Sequence, residues 1–130
     1  MYDRIKLLGN AQDAGRPQIG CTQKCCTDAR KNRNLSRMPV SLGLQGETYG
    51  LVEATKSIGV QLSLMGNAMI DELWLTHAHL GHIEGLGQFG REALNSKNIK
   101  LRCSDSVVDY TMNHPIWKKL IERGNLTFAK

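Results

Sequence analysis

Leu75-Thr76-His77-Ala78-His79-Leu80-Gly81-His82-Ile83-Glu84-Gly85-Leu86 holds three of the chain's four histidines within six residues. The run before it, Glu72-Leu73-Trp74-Leu75, has the look of a short buried strand, and the run from Ile83 looks helical. Residues two apart on an extended segment point to the same side, so His77 and His79 can grip one ion together. His82 follows once the backbone has turned and faces a neighbouring position. Neutral imidazole is the commonest ligand for zinc and iron, and the spacing predicts a metal site at His77, His79 and His82.

Composition sets the frame. The 130 residues suffice for a single domain or half-domain with a real core, and at 41% hydrophobic and 22% charged they read as globular. No apolar run is long enough to span a membrane, and Met1-Tyr2-Asp3-Arg4-Ile5-Lys6 lacks the apolar stretch of a signal peptide. A cytoplasmic location is therefore expected, where the four cysteines serve as thiols or metal ligands rather than disulfides. Cys21, Cys25 and Cys26 lie close enough together to share a structural zinc, with a fourth ligand from elsewhere. Cys103 falls on a predicted strand and reads as a core residue. The net charge of +5 concentrates at Lys24, Arg30, Lys31, Arg33 and Arg37. No aromatic interleaving or nucleic-acid motif accompanies that charge, so a solvated face is expected rather than a nucleic-acid partner.

Along the chain, Ile5, Leu7 and Leu8 make a first strand, and a polar, glycine-bearing loop runs from Asn10 to Gly20. Val40, Leu42 and Leu44 alternate with smaller or polar residues and turn at Gly46-Glu47 into Tyr49 to Val52, a hairpin. A short helix follows Ile58. The recurrence of Ile83, Leu86, Phe89, Ala93 and Leu94 predicts a helix over 83–95. Ile99 to Cys103 is a strand, Ser104 caps a helix beginning at Asp105, and Pro115 opens a last helix that Gly124 stops. Leu126 to Ala129 is the final strand. A hairpin followed by strand–helix alternation implies a mixed α/β sheet with helices on at least one face.

The histidine stretch resembles the His-x-His-x-Asp-His metal motif of the metallo-β-lactamase superfamily, with glycine at the acidic position. Leu8-Gly9-Asn10-Ala11-Gln12-Asp13-Ala14-Gly15, with Pro17, Gln18, Gly20 and Cys21, is similar to the opening of one branch. That branch includes the pyrroloquinoline quinone synthesis protein B and the phosphodiesterase of the carbon–phosphorus lyase pathway. Its Cys-x-Cys-x-x-Cys pattern is met by Cys21 and Cys26, with Gln23 at the middle position and Cys25 beside it. Leu51-Val52-Glu53-Ala54-Thr55 also matches, at a place where the branch commonly has Asp for Glu53.

The resemblance implies an αββα sandwich of which this chain covers roughly the N-terminal half. It also implies zinc, or alternatively iron or manganese, and a metal-activated water acting on phosphodiesters or small esters. The same resemblance leaves two other readings open: a catalytically incomplete metal-binding or interaction module, and a pyrroloquinoline quinone biosynthesis-like protein. A half-sandwich would expose the inner face of its sheet, so either a homodimer or a missing C-terminal half is expected to cover it.

Overall fold

The computed structural model describes residues 1–129. Its centre is a single six-stranded sheet in which spatial order equals chain order. β1 (Tyr2–Gly9), β2 (Ser41–Gly46) and β3 (Tyr49–Val52) run antiparallel, and β4 (Glu72–Trp74), β5 (Ile99–Arg102) and β6 (Leu126–Phe128) continue from β3 in parallel. Parallel neighbours need crossovers, and α2 (Ile58–Ser63), α3 (Leu80–Ile83), α4 (Asp105–Asn113) and α5 (Pro115–Glu122) lie in them. α1 (Lys24–Lys31) sits in the long β1–β2 connection.

The register explains which face is buried. Leu51, Leu73 and Leu101 are paired across β3, β4 and β5, and all three are fully buried. Ile83, Leu86, Phe89, Val107, Trp117 and Leu120 from the crossovers complete one core on that side. Burying each such side chain is worth about 1.5–3 kcal/mol. The opposite row reads Leu7, Leu42, Val52, Trp74 and Arg102, flanked by Ile5 and Leu44. Among the described residues nothing covers this second apolar face: Ile5 is 70% exposed, Leu7 60% and Trp74 38%. The Arg102 guanidinium lies 5.2 Å over the Trp74 ring and bonds Glu72 at 2.8 Å. That pairing holds the Glu72 carboxyl below its usual range.

The predicted hairpin, the strands, and the helices opened by Asp105 and Pro115 are all present. Gly124 adopts φ +70 just beyond α5, as a helix stop requires. Ser104 occupies the N-cap position, but its hydroxyl pairs with Ser106 instead of capping the helix. Cys103 is partly buried against the core, and burial raises its thiol pKa.

The single helix expected over 83–95 is not formed. α3 stops at Ile83, a 3-10 turn covers Glu84–Phe89, and the chain leaves regular structure there. The cause lies in the spacing. Ile83, Leu86 and Phe89 recur every three residues, the 3-10 period, which places all three in the core. Gly85, Gly87 and Gly90 lower helix propensity further. Leu94, counted with that face, is 40% exposed.

Candidate metal centre

Three segments meet beyond the C-terminal ends of β3 and β4. Glu53 follows β3 with φ +70, a conformation rarely taken by a residue with a side chain. It is held there because its amide donates to Trp74 (2.8 Å) and the next amide, Ala54, donates to the His82 carbonyl (2.9 Å). The histidine segment is thus stitched to the end of β3. Gly85 closes the stitch: its amide donates to the Ala54 carbonyl at 2.8 Å, and a Cβ there would stand 2.2 Å from the Thr55 oxygen. The glycine in His82-Ile83-Glu84-Gly85 is a close-approach residue.

Among the described residues, Glu53, His77 and His82 form the one group of histidine, cysteine or acidic side chains whose donor atoms all lie within 4.8 Å of each other. The network around them fixes roles. The Thr76 hydroxyl donates to the Glu53 carboxylate in a short bond. Its single proton is then spent, so its 2.9 Å contact with His77 Nδ1 makes that nitrogen the donor. His77 Nε2 is left with its lone pair, 3.0 Å from His79 Nδ1. His82 Nδ1 is buried without a hydrogen-bond partner, with the nearest Glu53 oxygen at 3.5 Å. A buried, unsatisfied imidazole nitrogen costs free energy unless something fills its lone pair or takes its proton. Neutral imidazoles with a carboxylate suit zinc, iron or manganese, so these residues fit a divalent cation.

The sequence-derived site residues therefore divide. His77 and His82 converge. His79 touches the His77 ring edge-on, at 4.5 Å between centroids. Cys21, Cys25 and Cys26 line a separate open cleft of about 420 Å³ with Arg16 and Arg37. Cys26 is buried, and its sulfur accepts the Gln18 amide at 3.4 Å. That bond, with the neighbouring thiols of Cys21 and Cys25 and the charge of Arg30, lowers its pKa. The basic segment is partly engaged in structure, since Arg30 binds the Cys21 and Gln18 carbonyls and Arg37 those of Asn34 and Ser36.

Two site residues were not singled out by the histidine spacing. Glu53 carried only the weak signal of a branch position usually held by Asp. Asp13, inside the glycine-bearing loop, places Oδ1 3.0 Å from His82 Nε2. His114 stacks between Tyr110 and Trp117 at the α4–α5 junction.

Neither a protein-family model nor a curated protein sequence matches the chain. Solved structures do match. Zn2+-bound PqqB from Methylobacterium extorquens superposes with TM-score 0.83 at 17% identity, over 96% of this chain and 44% of that one. A diphosphatase from the PhnP family gives 0.72 at 20% identity, over 97% and 49%. The Bacillus subtilis metallo-β-lactamase fold protein YhfI gives 0.60 at 14% identity, over 96% and 44%. This chain carries part of the metallo-β-lactamase fold. It spans about half the length of the structures it matches.

Proposed function

We propose that the chain is the metal-binding half of a metal-dependent, hydrolase-like protein acting on phosphodiesters or small esters. The convergence of Glu53, His77 and His82, with His82 Nδ1 buried and unsatisfied, carries this reading. Zinc is the first choice of ion, with iron and manganese as alternatives of the same donor chemistry. When bound, such an ion acidifies water and polarises the oxygen of a phosphoryl or carbonyl group. The chain's own residues prepare the site. Thr76 and Glu53 fix the His77 tautomer that leaves Nε2 free to ligate, and His79 adds a second imidazole beside it. Arg33 and the exposed parts of the basic segment offer an anion contact for a charged substrate.

The likeness to Zn2+-bound PqqB supports metal binding, and a pyrroloquinoline quinone biosynthesis-like role is the finer alternative. Cys21, Cys25 and Cys26 are proposed to hold a separate structural zinc. A reducing, cytoplasmic compartment suits the four free cysteines. No helix among the described residues is long and apolar enough to cross a membrane. A second copy of the chain is proposed to cover the exposed sheet face, the pairing a sandwich would require.

Elemental analysis combined with a chromogenic phosphodiester assay tests the reading. An ion lost on His77→Ala or His79→Ala marks the histidine site, and one lost on Cys26→Ser marks the cysteine site. Turnover with zinc or manganese that disappears in His77→Ala supports hydrolysis. Metal binding without turnover under any metal favours a binding or interaction module, a reading that Gly81 also favours.

A further inference from the structure

We propose that Asp13 supplies this cluster with the carboxylate that position 81 lacks, as a direct ligand for a divalent cation beside His82. The inference rests on the reading of the histidine cluster as a metal site. A Cβ built on Gly81 would stand 2.3 Å from Asp13 Cβ, 2.4 Å from its Cγ and 2.6 Å from Oδ2. An aspartate at 81 would carry its own carboxyl carbon about 1.5 Å from that same Cβ. The two side chains would therefore compete for one volume, and the carboxylate enters it from the loop instead of from the histidine segment. His82 then lies between two acids, with Nε2 3.0 Å from Asp13 and Nδ1 3.5 Å from Glu53. Beside the group of Glu53, His77 and His82, Asp13 Oδ1 and His82 Nε2 thus make a second nitrogen–oxygen pair of the kind that zinc, iron or manganese takes.

The loop is built to present Asp13. Gln12 spans the turn, its side-chain oxygen accepting the Ala14 amide at 3.0 Å and its carbonyl accepting the Gly15 amide at 2.8 Å. Gly15 takes φ +71, and Lys56 clamps the Ala14 carbonyl. Arg16 and Arg37 exchange two backbone bonds of 2.8 Å that tie the turn to the segment entering β2.

Cobalt(II) titration followed by visible absorption is the test, because nitrogen–oxygen ligation and thiolate ligation give different spectra and the cysteine cleft is read separately. Asn keeps an acceptor for His82 but loses the charge, so Asp13→Asn separates ligation from simple hydrogen bonding. The expected result is a loss of affinity at the nitrogen–oxygen site of about tenfold or more. In the swap Asp13→Gly/Gly81→Asp, which also removes the Cβ that would stand 2.3 Å from the new one at 81, the carboxylate returns from the other backbone, and affinity recovers to within a few-fold of the wild type. Circular dichroism establishes that each variant is folded, and the swap reports even if Asp13→Asn is not. Unchanged affinity in Asp13→Asn, or a swap no better than Asp13→Gly alone, overturns the assignment of Asp13 and leaves the histidine site standing. A wild type with no nitrogen–oxygen-ligated cobalt overturns the metal reading and this inference with it.

Discussion

Replacing Gly85 with alanine adds one methyl group at the seam between the end of β3 and the histidine segment. That Cβ would stand 2.2 Å from the Thr55 oxygen and 2.9 Å from the Ala54 oxygen, where ordinary contact begins near 3.4 Å. Both obstacles are backbone atoms, so no side chain can swing aside. The seam must open by roughly an ångström, and two backbone bonds depend on it: Gly85 to Ala54 at 2.8 Å and Ala54 to His82 at 2.9 Å. Each contributes about 1 kcal/mol net, and a buried group left unpaired costs about 1–3 kcal/mol. The expected destabilisation is about 2–4 kcal/mol, or a drop in Tm of roughly 6–16 °C for a chain of this size. Urea unfolding followed by tryptophan fluorescence gives the stability. Gly59→Ala is the control, since nothing lies within 4 Å of a Cβ at that helical position. It should be neutral or stabilising by up to about 1 kcal/mol. A Gly85→Ala variant within about 1 kcal/mol of the wild type would refute the view that this glycine sets the distance between Glu53 and His82.

Glu72→Gln removes the charge that pairs with Arg102 and is expected to cost about 1 kcal/mol near neutral pH. Because Arg102 depresses the folded carboxyl pKa, the contribution is complete above the unfolded value near ~4.3 and is lost as pH falls through the folded value. The difference between wild type and Glu72→Gln in urea titrations should therefore shrink in acid and persist at pH 7. Light scattering should find a dimer that Ile5→Lys/Leu7→Lys converts to a monomer, since both side chains stand on the uncovered sheet face. A wild-type monomer that binds no apolar dye would count against that pairing.

Where local chemistry decides structure, the sequence was readable. Val40 to Val52 alternates at the strand period and forms a hairpin, and Pro115 and Gly124 bracket α5. His77 and His82 were readable as site residues because their spacing is itself the signal. The rest required distances between segments. Ile83, Leu86 and Phe89 fit either helix type over so short a span, so the 3-10 turn over Glu84–Phe89 was not legible in their spacing. Glu53 enters the site through an unusual backbone conformation that no periodicity foretells. Asp13 was visible as a letter in a motif, but its nearness to Gly81 belongs to the folded chain alone.

The sheet's strand order has a consequence for how the centre is made. Each strand pairs with the one that precedes it in the chain, so the sheet can be laid down in the order in which the ribosome releases it. Asp13, Glu53, His77, His79 and His82 are all delivered by the time β4 and the turn after it have emerged. β5, α4, α5 and β6 contribute no group to the cluster; β5 braces the strand that carries it through the pairing of Trp74 with Arg102 and the bond from the Leu75 amide to the Arg102 carbonyl. Chemistry and buttress thus occupy successive stretches of the chain. Changes in the later stretch should act on the rigidity of the centre and leave its composition untouched.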